Sequence, residues 1–181
     1  MSLLVTGGAG FIGSHLVQRL LAETGSRVVV LDNFNDYYNP QLKRAVAAEL
    51  KDNERVTVVE GDFRDQDQMA FLLLEHGVWA IVHLGASPGV PASLAHPRQY
   101  FENNVLGTLS LLEAARKYPV ERFLFASSST VYGRGAQAPF VEDAPLGIPA
   151  SPYGASKRSA EILGLTYHQL FGVPFTSLRL F

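Results

Sequence analysis

The feature that most constrains the fold is a glycine-rich turn between a short apolar segment and an amphipathic one. The apolar run LLVT (residues 3–6) leads into TGGAGFIG, and residues 11–24 then carry apolar side chains at helical spacing. In such a strand–turn–helix unit, glycines let backbone amides at the helix N-terminus approach an anionic ligand that a Cβ atom would obstruct. The turn therefore favours an α/β fold that binds phosphate groups.

Strand-like and helix-like segments continue to alternate along the 181 residues. Further strands are predicted at 27–32, 55–62, 79–86, 121–128 and 174–181, and further helices at 40–51, 67–76, 97–118 and 151–172. This alternation is typical of a parallel sheet covered by helices on both faces. We predict one α/β domain over residues 1–181, with a doubly wound, mostly parallel sheet of the Rossmann type.

The composition excludes several other classes of protein. The chain has no cysteine, which rules out disulfides and thiolate catalysis, and its five histidines lack metal-site spacing, so we expect no metal. A formal charge of -2 without a basic run argues against nucleic acid. No apolar run approaches the roughly 18 residues of a membrane span, and the N-terminus does not resemble a secretion signal. The default expectation is a cytoplasmic protein.

The glycines and the end of the second strand together predict a dinucleotide site. Glycines 7, 10 and 13 satisfy G-x-x-G-x-x-G, and glycines 8, 10 and 13 satisfy G-x-G-x-x-G. Asp32 ends the next strand, where an acid can accept hydrogen bonds from both ribose hydroxyls of adenosine. The same carboxylate would repel a 2′-phosphate, and Asn33 rather than an arginine follows it. The pattern favours NAD over NADP.

Other residues at strand ends are candidates for cofactor contacts. Asp62 could accept from the adenine amino group, or it could simply cap a turn. Leu84, Gly85 and Ala86 end the fourth strand, at the edge where ligands lie in sheets of this kind. His83 is interpreted as a core histidine with satisfied hydrogen bonds rather than as a ligand or base.

The stretch SPYGASK places Tyr153 and Lys157 four residues apart, on one side of a predicted helix. A phenol has a pKa near 10, and acting as a base at neutral pH requires a fall of about three units. Burial opposes that fall, whereas a close ammonium and a positive nicotinamide ring favour it. The hydroxyls at 127–130 end the fifth strand, where Ser128 could hold a substrate oxygen, although ordinary turn chemistry also accounts for them.

These motifs resemble, in order and spacing, those of the extended short-chain dehydrogenase/reductase family. The segments TGGAGFIGSHL, HLGA (83–86), ENNVLGT (102–108), SSSTVYG (127–133) and SPYGASK carry the resemblance. The chain is most similar to NAD-dependent sugar-nucleotide 4-epimerases of the UDP-glucose and UDP-glucuronate kinds. The resemblance implies transient oxidation at C4 of a nucleotide sugar, rotation of the 4-keto sugar, and return of hydride to its other face.

The resemblance also implies roles for particular residues. Tyr153 would be the base, with Lys157 and Ser128 as its catalytic partners, and Ser129 and Thr130 would lie beside the substrate. The implied NAD-binding residues are Gly7, Gly10, Phe11, Ile12, Gly13, Asp32, Asn33, Asp62, Phe63, Leu84, Gly85, Ala86, Asn103, Tyr153 and Lys157, with Phe181 near the nicotinamide. Helices 97–118 and 151–172 resemble those that form a homodimer interface in the family.

Departures from the family pattern leave some alternatives open. Related dehydratases carry an Asp-Glu pair where Ser129 and Thr130 stand, and related decarboxylases usually carry glutamate in place of Thr130, so epimerisation is favoured. Residues 32–44 favour the glucuronate series, but residues 87–93 depart from it, and the sugar stays open. Family members are longer, so we expect the C-terminal substrate lobe to be absent and the activity of this chain to be low. A reductase or dehydrogenase, or a non-catalytic NAD-binding module, is the alternative.

Overall fold

Six strands form one sheet in the order β3-β2-β1-β4-β5-β6, and all neighbouring strands are parallel. The computed structural model describes all 181 residues. The strands are β1 (Ser2–Thr6), β2 (Arg27–Asp32), β3 (Val56–Glu60), β4 (Val78–His83), β5 (Arg122–Ser128) and β6 (Phe175–Leu180). The strand order reverses between β1 and β4, which is the topological switch point of a doubly wound sheet. The predicted Rossmann architecture is confirmed, and the sheet is wholly parallel.

Seven α-helices cover the two faces of this sheet. They are α1 (Phe11–Glu23), α2 (Pro40–Lys51), α3 (Gln66–Glu75), α4 (Val90–Ala95), α5 (Pro97–Phe101), α6 (Gly107–Lys117) and α7 (Pro152–Phe171). Helices α1 and α2 pack with buried valines of β1 and β2 on one face, and α3, α6 and α7 form a larger apolar cluster with β4 and β5 on the other. None of the helices is both long and apolar enough to cross a bilayer.

Local sequence signals set the helix ends. Asn39 caps α2 by accepting from the Gln41 amide at 3.0 Å, and Pro40 occupies the first helical position, as predicted. Ser151 caps α7 in the same way by accepting from the Gly154 amide at 3.1 Å. Gly172 closes α7 in the left-handed region at φ 73°. The predicted bounds of β2 and α2 are exact.

The helix predicted at 97–118 is confirmed over Pro97–Lys117, where helical residues follow one another without a gap, but it contains a π-helical turn that was not predicted. Helix α5 ends at Phe101, a π-helical turn spans Glu102–Leu106, and α6 begins at Gly107. The buried Asn104 side chain links this turn to the loop after β4. It accepts a hydrogen bond from the Ser87 amide at 2.7 Å and donates one to the Ser87 carbonyl at 3.0 Å. A π turn inserts one extra residue in a helix and often marks a functional site. The short helix α4 was not predicted.

Helix α7 packs directly on β6 through a position that has no side chain. A Cβ atom at Gly164 would lie 2.2 Å from the Phe175 ring, which is itself buried and stacked on Phe125. The close approach brings the helix down onto the sheet. The second half of α7 is thereby held against the first residue of β6.

We expect Gly164→Ala to lower the free energy of unfolding. Alanine improves helix propensity by about 1 kcal/mol, but overpacking against a fixed ring costs about 1–3 kcal/mol, so the net effect is destabilising. Gly25→Ala is the matched control, because nothing lies within 4 Å of its Cβ position. Urea unfolding of both variants measures the difference, and equal stability of the two would contradict the packing described here.

Candidate active site

A cleft of about 450 Å³ opens at the carboxyl edge of the sheet, around the switch point. Nearly all of the site residues predicted from the sequence line it. They are Gly7, Gly10, Phe11, Ile12, Gly13, Asp32, Asn33, Asp62, Phe63, Leu84, Gly85, Ala86, Asn103, Ser128, Tyr153, Lys157 and Phe181. Ser129 and Thr130 do not line the cleft; they lie in the 3-10 turn behind Ser128, to which the Thr130 hydroxyl donates at 3.0 Å.

The glycine turn forms the floor of this cleft. A Cβ at Gly13 would lie 2.3 Å from the Gly7 carbonyl oxygen, and one at Gly7 would lie 2.9 Å from the Gly85 amide. Gly7 also adopts φ +66°, which favours glycine. Gly8 faces the Val30 side chain instead, so glycines 7, 10 and 13 are the set that borders the cleft. No side chain caps α1, which leaves its first amides available to an anion.

The end of β2 contributes a buried charge pair that the sequence analysis missed in part. The Asp32 carboxylate accepts from the Phe34 amide at 2.9 Å and lies 3.5 Å from the Lys43 ammonium. Lys43 lines the cleft together with Asn35, Tyr37 and Tyr38, none of which was predicted. The available signal was that Lys43 shares the buried face of α2 with Ala47 and Leu50, at positions i, i+4 and i+7.

Asp62 and Phe63 serve the turn and the cleft at once. Burial raises the pKa of the Asp62 carboxyl. The Arg64 guanidinium, which donates to both carboxylate oxygens, has the larger opposite effect, so the pKa lies below its usual value. The Arg64 amide also donates to Asp62 at 2.9 Å, so the turn-cap interpretation holds alongside the position in the cleft wall. The Phe63 ring occupies the space left by Gly85 and Gly107.

The interpretation of His83 as a core residue is confirmed. Its ring nitrogens lie 2.6 Å from the Thr6 hydroxyl and 3.1 Å from the Thr108 hydroxyl, and only 1% of the residue is exposed. Burial, and to a smaller extent the charge of Lys157, lower the pKa of His83 to about 3. The ring is therefore neutral at physiological pH and joins β1, β4 and α6.

Lys157 is a buried amine beside the end of β5. It donates to the Ala126 carbonyl at 2.8 Å, and its nitrogen lies 4.8 Å from the centre of the Phe125 ring. Only 3% of the residue is exposed, and burial lowers the pKa of its ammonium to about 7. A lysine held in this way is close to balance between its charged and neutral forms at neutral pH.

Tyr153 lies one helical turn before Lys157, and its edge faces the Tyr100 ring at a centroid distance of 6.1 Å. Burial raises the pKa of the Tyr153 phenol; the Ser128 hydroxyl opposes this rise, and Tyr37 adds to it. The acidic phenol expected from the sequence is therefore not a property of the protein alone. The physical reason is that burial penalises phenolate more than the neighbouring groups stabilise it.

Three observations fit this cleft to a dinucleotide. The glycine turn leaves backbone amides open at the start of α1, the Asp32 carboxylate stands at the end of β2, and the Ser127 hydroxyl is buried in the cleft wall without a hydrogen-bond partner. Buried hydroxyls are rarely left unpaired, so Ser127 indicates a missing polar partner. Glycines, carboxylate and orphaned hydroxyl lie in one continuous cleft, as a bound dinucleotide requires.

The strand order, the glycine turn and the grouping of Ser128, Tyr153 and Lys157 define a dinucleotide-dependent protein of the doubly wound class. Comparison with known families refines this class. The model of the NAD dependent epimerase/dehydratase family matches residues 3–181. The chain belongs to this family.

Individual relatives agree with this assignment. The chain is 41% identical over 182 residues to UDP-glucuronate 4-epimerase 6 of Arabidopsis thaliana, covering 100% of this chain and 39% of the relative. It is 43% identical over 161 residues to UDP-glucose 4-epimerase of Erwinia amylovora, covering 89% and 47%. The crystal structure of UDP-glucuronic acid 4-epimerase from Bacillus cereus with UDP-glucuronic acid and NAD superposes with a TM-score of 0.91 at 39% identity, covering 99% and 56%.

The comparisons confirm the predicted family resemblance, the fold and, through the family description and the NAD complexes, the predicted cofactor. The chain spans about half the length of the relatives it matches. What the relatives do as whole proteins is therefore carried to this chain only as a proposal.

We expect Lys157→Met to change how stability depends on pH. Because the pKa of Lys157 falls from 10.5 unfolded to about 7 folded, the unfolded chain binds more protons between these values, and wild-type stability rises with pH across that window. Below about pH 7 the burial cost is present in full. Urea unfolding at pH 7 and pH 10 should show the wild type gaining about 2–4 kcal/mol relative to the variant. A constant difference across this range would contradict the buried amine.

Proposed function

We propose that this chain carries the NAD-binding and catalytic half of an NAD-dependent 4-epimerase acting on a UDP-sugar. The single observation that carries the proposal is that Ser128, Tyr153 and Lys157 line the same cleft as the glycine turn. These residues place a base, an amine and a hydroxyl at the carboxyl edge of the sheet, where ligands bind in doubly wound folds. Similarity to UDP-glucuronate and UDP-glucose 4-epimerases supports the same proposal.

The residues divide the work by their chemistry. Bound NAD supplies reversible hydride acceptance at the sugar C4. Tyr153 takes the proton from the O4 hydroxyl and returns it after the sugar has turned over, and Ser128 holds the same oxygen. Lys157, when protonated, provides positive charge that stabilises the Tyr153 phenolate, because it lies one helical turn further along the same face of α7. The glycine turn would hold the pyrophosphate of NAD, and Asp32 would hold the adenosine ribose.

The charge distribution in the cleft favours epimerisation over dehydration. Asp32 and Asp62 are the only acidic residues in its wall, and both stand at the ends of β2 and β3, away from Tyr153. Elimination of water requires an acid and a base near the reacting carbons. The positions after Ser128 carry Ser129 and Thr130 instead, which cannot supply that acid.

The sugar and the rate are separate parts of the proposal. The similar proteins include both glucuronate and glucose enzymes, so both UDP-sugars are candidate substrates. Because the chain spans about half the length of these relatives, we expect the 181-residue chain to bind NAD and to turn over slowly.

We expect Tyr153→Phe to lower formation of the C4-inverted product by about 100-fold or more, because general acid–base transfer contributes at least that factor. Protein is incubated separately with UDP-glucuronate and UDP-glucose, and the products are identified by NMR. Binding of NAD, measured by calorimetry, should persist in the variant. Tyr167→Phe is the matched control, since this tyrosine also lies on α7 but bonds to Glu113 outside the cleft.

Other outcomes point to the alternatives. Stoichiometric release of NADH with an oxidised sugar would indicate a dehydrogenase. Tight NAD binding with no product from either sugar, even at long incubation, would indicate a non-catalytic NAD-binding module. Unchanged product formation by the Tyr153 variant would contradict the proposed base.

We further propose a homodimer through the α6–α7 face. Support for the dimer comes from α7, which exposes the large apolar side chains Ile162 and Leu165. We expect sedimentation equilibrium to give twice the mass of the 19.8 kDa chain, and Leu165→Asp to return the monomer. A wild-type monomer at all concentrations would contradict the interface.

We also propose a cytoplasmic location for the protein, which cell fractionation tests.

A further inference from the structure

Asp32 and Lys43 form an ion pair that is almost wholly removed from solvent. The carboxylate and the ammonium lie 3.5 Å apart, and their side chains are 4% and 8% exposed. Lys43 also donates to the Asn35 side chain at 3.0 Å, and its nitrogen lies 5.0 Å from the centre of the Tyr38 ring. All four side chains border the cleft. The pair is therefore a built feature of the site rather than a surface contact.

Lys43 is poorly explained as a stabiliser of its own helix. It lies in the first turn of α2, where the helix dipole disfavours a cation. Burying both ions also costs more than a well-packed apolar pair of similar size. The free-energy cost of burying Lys43 is explained if its ammonium contributes to ligand binding in the cleft, because a cation near a helix N-terminus attracts an anionic ligand.

We propose that Lys43 is a cofactor-selecting residue: it is the cation that a 2′-phosphate on the adenosine ribose would contact, and Asp32 masks it. This inference rests on the proposed NAD site. The Asp32 carboxylate accepts the ribose hydroxyls and repels a 2′-phosphate, while its pairing with Lys43 keeps that ammonium from attracting one. The Asp32–Lys43 pair thus acts as one unit: the Asp32 charge maintains the preference for NAD, and Lys43 can bind a 2′-phosphate only when that charge is removed.

The competing explanation is that Lys43 only orders residues 33–38 through its bond to Asn35. The two explanations differ in what happens when Asp32 loses its charge. If Lys43 is a masked phosphate ligand, neutralising Asp32 creates affinity for a 2′-phosphate that disappears when Lys43 is also removed. If Lys43 is only structural, the gain does not depend on it.

The experiment measures the dissociation constants of NAD, NADP, ADP and 2′,5′-ADP by calorimetry for a set of variants of the 181-residue chain. Asp32→Asn removes the charge but keeps the oxygen that accepts from the Phe34 amide, so the turn is retained. The set also contains Lys43→Met and the double variant. Lys51→Met is the matched control, because it removes an exposed lysine from the same helix.

We expect Asp32→Asn to strengthen binding of NADP and 2′,5′-ADP by about ten- to a hundredfold, the range of one charge-assisted hydrogen bond. The double variant should lose about tenfold or more of that gain. Lys43→Met alone should raise the preference for NAD over NADP, because the carboxylate is then unscreened; this result tests the proposal even if Asp32→Asn does not fold. Lys51→Met should leave all ratios unchanged.

Equal NADP affinity of Asp32→Asn and the double variant would overturn the inference. An unchanged NAD-to-NADP ratio in Lys43→Met would do the same. These failures are distinct from failure of the proposed function. Lys43-dependent binding of 2′,5′-ADP without any sugar product would leave the inference standing and contradict the epimerase, whereas Tyr153-dependent epimerisation with an irrelevant Lys43 would do the reverse.

Discussion

The close approach of backbone to backbone at the carboxyl edge of the sheet is the constraint on which the rest of the site depends. A Cβ at Gly13 would strike the Gly7 carbonyl, and a Cβ at Gly7 would strike Gly85 across the switch point. Without these side chains, the N-terminus of α1 comes down against β1 and β4. The cleft exists because of this approach, and polar or charged side chains of β2, β5 and α7 line it.

The two ends of the cleft handle charge in opposite ways. At the end of β2, Asp32 and Lys43 neutralise each other inside the protein. At the end of β5, Lys157 has only the Ala126 carbonyl as a hydrogen-bond acceptor, and burial alone shifts its pKa. The phenol of Tyr153 is held in its neutral form by the same burial. At this end, where the proposed catalytic residues lie, the protein alone does not stabilise a phenolate, and a positively charged ligand ring would do so.

The sequence predicted those parts of the molecule that local patterns encode. The glycine turn, the capped helix α2 and the β-branched strand β2 follow from residues near each other in the chain, and they were correct. The π-helical turn at residues 102–106 was missed because Asn104 in this turn is hydrogen-bonded to Ser87, which lies in the loop after β4 and is distant in sequence. Lys43 was missed for a similar reason, since its partner Asp32 lies across a loop. Family resemblance, rather than periodicity, placed Asn103 in the site.

The central claim is that Tyr153 becomes a base only when NAD supplies positive charge to a cleft whose burial otherwise keeps the phenol protonated. The most direct measurement is the titration of this tyrosine by ultraviolet difference absorbance, with the Tyr153→Phe variant as the reference. The account predicts that its pKa lies above 10 in the protein alone and with NADH, and falls below 10 with NAD. A pKa that stays above 10 with NAD bound, or one already low without it, would contradict the account.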